Sequence, residues 1–112
     1  MSSLPPPPKT YQRFSKQFPL LEEAWESMGK AGQEGPLNER TARLVKLGVA
    51  IGAMREGAVH ASVRKAQALG ISEEEIDQVI ALAASLLGMP STVAAFTWTR
   101  DILDGEAESP AD

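Results

Sequence analysis

The sequence predicts an all-α fold of about six helices. Three observations carry this. Apolar residues recur at spacings of three and four over most of the chain, the periodicity of a single helix face. Proline, glycine and a Ser-x-x-Glu box punctuate those stretches where helices would start and stop. No segment alternates apolar and polar residues as a half-buried strand does. The 112 residues suffice for one domain, and a chain of that size buries roughly 65 per cent of its unfolded surface without staples.

Taken in order, Pro5 to Pro8 cannot donate backbone hydrogen bonds, so residues 1–9 read as an extended arm. Tyr11, Phe14 and Phe18 then share one face of a short first helix that Pro19 stops. Pro19 suits the first turn of a second helix, which carries Leu20, Leu21, Ala24, Trp25 and Met28. Gly29, Gly32, Gly35 and Pro36 predict the loop that follows. Asn38 is the expected N-cap of a third helix, with Glu39 near its positive end. That helix is the most apolar and is expected at the centre. Leu44, Leu47, Ile51 and Met54 step along one face, Val45, Val49 and Ala50 fill much of the rest, and Gly48 and Gly52 would permit a close crossing.

Gly57 marks a joint before a fourth helix through Leu69, which Gly70 ends. Ser72 and Glu75 form a capping box for a fifth helix carrying Ile76, Val79, Ile80, Ala83 and Leu87. The acidic run Glu73-Glu74-Glu75 with Asp77 is explained by capping and the helix dipole rather than by metal binding. Gly88 stops that helix, and Pro90 sits in the first turn of a sixth, with Val93, Ala94, Phe96 and Ile102. The single helical domain is thus expected over 10–104, and residues 105–112 read as an acidic tail.

Composition excludes several functions. The chain has no Cys, so disulfides, thiolate metal sites and thiol redox chemistry are ruled out. A single His excludes a multi-histidine metal site within one subunit, and no metal or other cofactor is expected. The net charge of −4, from 11 Lys+Arg and 15 Asp+Glu, argues against a nucleic-acid partner, which calls for a basic face. Arg43, Lys46 and Arg55 interrupt the most apolar stretch, so no membrane span is expected. The first residues lack an apolar signal core, and the expected location is cytoplasmic.

Candidate chemistry concentrates in Arg55 to Lys65, the densest polar cluster beside the central helix, which holds the only His. Glu56, His60 and Arg64 are four residues apart and share one helix face. A carboxylate can orient an imidazole and raise its basicity, so Glu56 and His60 are the catalytic candidates. Arg64 and Arg55 are the candidates for gripping a substrate carboxylate. Trp98 is the candidate aromatic wall, although an indole in such a domain more often lies in the core or at an interface. The bland alternative for the cluster is a solvated helix face or a His packed at a subunit contact.

The stretches LVKLGVAIGA from Leu44, EGAVH ending at His60, VRKA from Val63 and LGISEEEI from Leu69 recur in order with IALAA from Ile80, Gly88-Met89-Pro90 and AAFTW ending at Trp98. In order and spacing they resemble the carboxymuconolactone decarboxylase family, which includes the alkylhydroperoxidase D type. The resemblance covers roughly Phe18 to Ile102. It implies an all-α fold assembled into trimers or hexamers, with helices contributed across subunits. The principal expected partner is therefore a second copy of the chain, besides a small acidic ligand.

The redox branch of that family uses a Cys-x-x-Cys-x-x-x-His motif with an upstream Glu as proton relay. A gap-free register through Ala66, Gly70 and Glu75 puts the two Cys positions at Arg55 and Ala58, the His position at Ser62 and the relay at Arg43. Sliding the register to use His60 puts them at Ala53, Glu56 and Thr41. Neither restores a thiol, so disulfide-cycling peroxidase chemistry has no basis in this chain. What remains is a non-redox small-molecule binder or oligomeric scaffold. The alternatives are a cofactor-free, lyase-like enzyme that decarboxylates an acid such as a carboxylated lactone, with His60 as general acid/base, or a subunit whose pocket a neighbour completes.

Overall fold

The computed structural model describes residues 9–105, which fold into six α-helices with no strand among them. These are α1 (Lys9–Gln17), α2 (Pro19–Gln33), α3 (Glu39–Gly52), α4 (Glu56–Ala68), α5 (Glu73–Leu87) and α6 (Met89–Leu103). The all-α expectation is therefore met. The proline-rich arm and the acidic tail lie outside the described residues, apart from Lys9, which opens α1, and Gly105. No helix among the described residues is long and apolar enough to cross a membrane.

Internal contacts divide the chain into two compact units, one carrying α1 and α2, the other running from Arg40 through α6. In the first unit the Phe14 and Phe18 rings meet at 5.1 Å between centroids, and Pro19 opens α2 in its first turn. The expected loop after Met28 begins later. Gly29 and Gly32 are absorbed into α2, whose last residue is Gln33, because a glycine weakens a helix by only about 1 kcal/mol and neither stands beside a proline. Of the apolar residues predicted for α2, Leu20, Leu21, Trp25 and Met28 are all exposed.

The second unit contains the core. Leu47 and Ile51 of α3, Val59, Val63 and Ala66 of α4, Ile76 and Ile80 of α5, and Ala95 and Ile102 of α6 are buried together, with Ile71 from the α4–α5 loop. Each helix contributes at intervals of three or four, or twice that, so one narrow stripe per helix faces inward. Helix α6 packs against both α4 and α5. Thr99 is fully buried in that stripe, and its hydroxyl donates to the Phe96 carbonyl at 2.8 Å. Leu44, Val79, Ala83, Leu87 and Trp98 pack around the buried set.

The helix ends obey local chemistry with one correction. Gly57 is not the joint before α4, since it lies inside the first turn of that helix. The chain turns earlier, at Ala53 and Met54, and Met54 takes φ +55, a left-handed conformation uncommon for a side chain of its bulk. Gly70 at φ +78 lets the chain leave α4, and Gly88 at φ +83 separates α5 from α6. Pro90 sits in the first turn of α6, as its missing N–H suits.

The capping box of α5 forms in full. The Glu75 N–H donates to Ser72 Oγ at 3.1 Å, and the Ser72 N–H donates to Glu75 Oε1 at 2.8 Å. Arg40 also pairs with Glu75, while Arg100 of α6 binds both Glu73 and Asp77 and stacks over Phe96. Three of the four acids in this run thus serve the start of α5 and its junction with α6.

Two expectations follow. A Cβ built on Gly48 would meet Val79 Cγ1 at 3.8 Å, an ordinary contact, and one on Gly52 meets nothing within 4 Å. The close crossing read from these glycines is thus not enforced by space. Gly48→Ala should raise stability by up to about 1 kcal/mol through helix propensity, measured by urea denaturation. The second concerns pH. The Ser72 backbone N–H, then its hydroxyl and the Arg40 guanidinium, hold the Glu75 carboxyl below its ordinary value against a smaller opposing effect of burial. A depressed carboxylate stabilises the fold above its unfolded pKa, and that stability is lost as pH falls through the folded pKa. Melting temperature should therefore drop on acidification below the ordinary Glu range, and Glu75→Gln should flatten that part of the profile.

Candidate functional site

The strained turn at Met54 delivers the polar segment to the start of α4. Arg55 is the N-cap residue, extended at φ −108 and ψ 104, and Glu56 is the first helical residue. A carboxylate there faces the positive end of the helix, which favours it. One turn on comes His60. Its neighbours Val59 and Val63 are fully buried, so the orientation of α4 about its axis is set by packing rather than by the polar residues.

That orientation aims His60 across to the last turn of α6. His60 Nε2 lies 3.1 Å from Asp101 Oδ2, a hydrogen bond in which the ring N–H donates to the carboxylate when Nε2 is protonated. Glu56 Oε2 lies 3.9 Å from the same nitrogen, within ion-pair range but beyond hydrogen-bond length. The imidazole is mostly buried, with 16 % of its side chain exposed, against 27 % for Asp101 and 58 % for Glu56. Asp101 stands between the buried residues Thr99 and Ile102 on α6.

Spacing along α4 thus brings Glu56 and His60 near one another, but the nearer partner is Asp101, 41 residues away, which no local pattern indicated. Arg64 follows one turn beyond His60, is half-buried and is engaged in interactions of its own. Arg55 is exposed. Trp98 packs against the apolar core.

A second polar pair joins α3 to α4. Arg43 Nη1 donates to the buried Ser62 hydroxyl at 3.4 Å. One turn beyond Ser62, Lys65 is partly buried. That burial, followed by the nearby charges of Arg43 and Lys46, pushes its pKa below the usual lysine value.

A largely apolar feature of this unit lies on α3 and α5. A groove of about 620 Å³ runs between them, walled by Leu44, Val45, Val49, Val79, Leu82 and Leu86, with Gly48 and Gly52 in the α3 wall. Its polar lining comes from Thr41, Glu75 and Gln78. Sequence reasoning missed it, although a signal was present: Leu82 and Leu86 repeat at four residues off the core face of α5, as Val45 and Val49 do on α3.

The profile of the carboxymuconolactone decarboxylase family matches residues 19–101, most of the chain. The chain belongs to this family. No curated protein and no solved structure matches it significantly. As a cysteine-free member of the carboxymuconolactone decarboxylase family, it offers no thiolate to a peroxide, and peroxide reduction through a dithiol cycle has no nucleophile in this chain.

The helix-start geometry generates a gain-of-function expectation. Positions 55 and 58 are both exposed, one at the N-cap of α4 and the other in its first turn, where a thiolate is stabilised by the helix dipole. The quadruple variant Arg43→Glu, Arg55→Cys, Ala58→Cys, Ser62→His should form a reversible disulfide between positions 55 and 58. It should consume peroxide weakly but measurably, and the two Cys changes alone should act more slowly. Thiol titration and peroxide loss measure both, and an unmodified chain assayed in parallel should stay at buffer background.

Proposed function

We propose that this chain is a non-redox member of its family, a binding protein that takes an apolar small molecule into the α3–α5 groove. The groove itself carries the reading. Ligand pockets are typically a few hundred to about 1,000 Å³, mostly apolar, with a few polar groups that orient the ligand. A groove of about 620 Å³ with aliphatic walls and Thr41, Glu75 and Gln78 as its polar lining fits that description. Since Glu75 is held by Ser72 and Arg40, Gln78 is the lining group assigned to a ligand's polar end.

Two further observations favour a binder over a decarboxylase. His60 does not line the groove, so the residue with proton-transfer chemistry and the space for a substrate are separate. The Arg43–Ser62 contact joins the two positions that the gap-free register equates with the relay Glu and the His of the redox branch. That contact supports the gap-free register, in which His60 holds no position of the redox motif. Arginine and serine there keep the α3–α4 link but carry no carboxylate and no imidazole.

The binder works as a trimer or hexamer in this reading. Leu86, Met89 and Val93, at the α5–α6 turn, are among the exposed large apolar residues of the second unit. Exposed apolar residues of this kind are what a contact between copies would cover.

An environment-sensitive apolar dye should report the groove. We expect saturable binding at one site per chain, weakened at least tenfold in Val49→Asp and in Leu82→Glu, with both variants keeping their helical circular dichroism. Binding unaffected by either change would overturn the groove assignment, and sedimentation showing a stable monomer at micromolar concentration would overturn the assembly.

A further inference from the structure

Beyond the groove, the polar cluster at the meeting of α4 and α6 has the donors of a metal centre. We propose that Glu56, His60 and Asp101 bind a first-row divalent transition-metal ion such as Zn²⁺. The site shares no residue with the groove, so it stands or falls separately from the proposed function.

Geometry is the first support. The ligand atoms of the three side chains lie within 4.8 Å of one another, and both carboxylates approach the same ring nitrogen, at 3.1 and 3.9 Å. An ion holding imidazole nitrogen and carboxylate oxygen at about 2.0–2.2 Å places adjacent donors roughly 3 to 4 Å apart. The site therefore needs only a small inward movement of Glu56, the most exposed of the three. Glu56 and His60 stand one helical turn apart, the spacing at which two ligands on one helix converge on a single ion. The buried residues flanking His60 on α4 and Asp101 on α6 hold the two less mobile donors.

Electrostatics is the second, independent support. Asp101 sits in the last turn of α6, where the helix dipole already presents its negative end. Glu56 adds another carboxylate, and a single imidazole balances at most one of the two. Of the nearby cations, Arg100 is committed to Glu73 and Asp77, Arg64 has interactions of its own, and Arg55 is exposed. A divalent cation would compensate both carboxylates at once and use the imidazole nitrogen as its third donor.

Donor type selects the ion. One imidazole with two carboxylates suits zinc, cobalt, nickel or manganese, whereas magnesium and calcium favour all-oxygen sites. Three protein ligands leave coordination positions for water, as in metal sites that do chemistry.

The test uses the full chain after chelator treatment. Isothermal titration with Zn²⁺ should show one ion per chain, with no comparable uptake of Mg²⁺. His60 is the only histidine, so its ring resonances report ligation directly and should shift on stoichiometric Zn²⁺. Glu56→Gln, at an exposed position, should weaken binding at least tenfold, and His60→Gln and Asp101→Asn should abolish it. Failure to take up one Zn²⁺ per chain, imidazole resonances that do not respond, or uptake that persists in His60→Gln would each overturn the site. If Asp101→Asn does not fold, the wild-type imidazole signals still decide the question.

Discussion

Ala95, Thr99 and Ile102 form a buried stripe along α6 that lies against α4 and α5 at once. Two polar contacts of the second unit depend on that packing. It brings Asp101 to His60 on one side and Arg100 to the first turn of α5 on the other. The two residues are adjacent in sequence, yet the helix sends their side chains to different neighbours. A truncation within the stripe would loosen both connections together, since leaving a cavity in a closely packed core costs roughly 2–5 kcal/mol for a large aliphatic side chain.

Most of the helical architecture was legible because local chemistry and tertiary packing agree here. The capping box at Ser72, the breaks at Gly70 and Gly88, and the prolines opening α2 and α6 each act within a turn of their own position. Disagreement occurs where a residue has two local readings. Gly29, Gly32 and Gly57 read as punctuation but are tolerated inside helices, because each adopts helical backbone at a modest entropic cost. Met54 shows the reverse: a residue with no turn signature occupies left-handed space at the α3–α4 joint.

The candidate site was legible only along a single helix. Four-residue spacing correctly put Glu56 and His60 within reach of each other, since both lie on α4. Nothing local could announce Asp101, because its approach depends on how α6 docks. The same limit applies to Arg43 and Ser62, 19 residues apart on different helices. The groove differs, in that its walls were visible as apolar residues outside the core-facing stripes of α3 and α5. Such residues signify an uncovered surface, while the depth of the groove depends on the separation of the two helices.

Substitution of the redox positions has a physical consequence beyond the loss of a thiol. In the gap-free register an acid and an imidazole, which exchange protons, are replaced by Arg43 and Ser62, which do not at ordinary pH. With Lys46 and Lys65 close by, that part of the α3–α4 junction becomes cationic, and the pKa of Lys65 is lowered first by burial and then by the charges of Arg43 and Lys46. The cluster at Glu56 and Asp101 uses α4 as well, but from the side that faces α6. The two carboxylates and the cationic junction thus lie on different sides of α4, while the mostly apolar groove lies on α3 and α5. The imidazole, the cluster of cationic side chains and the apolar groove occupy different parts of the second unit. The proposed binding role rests on that separation of the groove from His60.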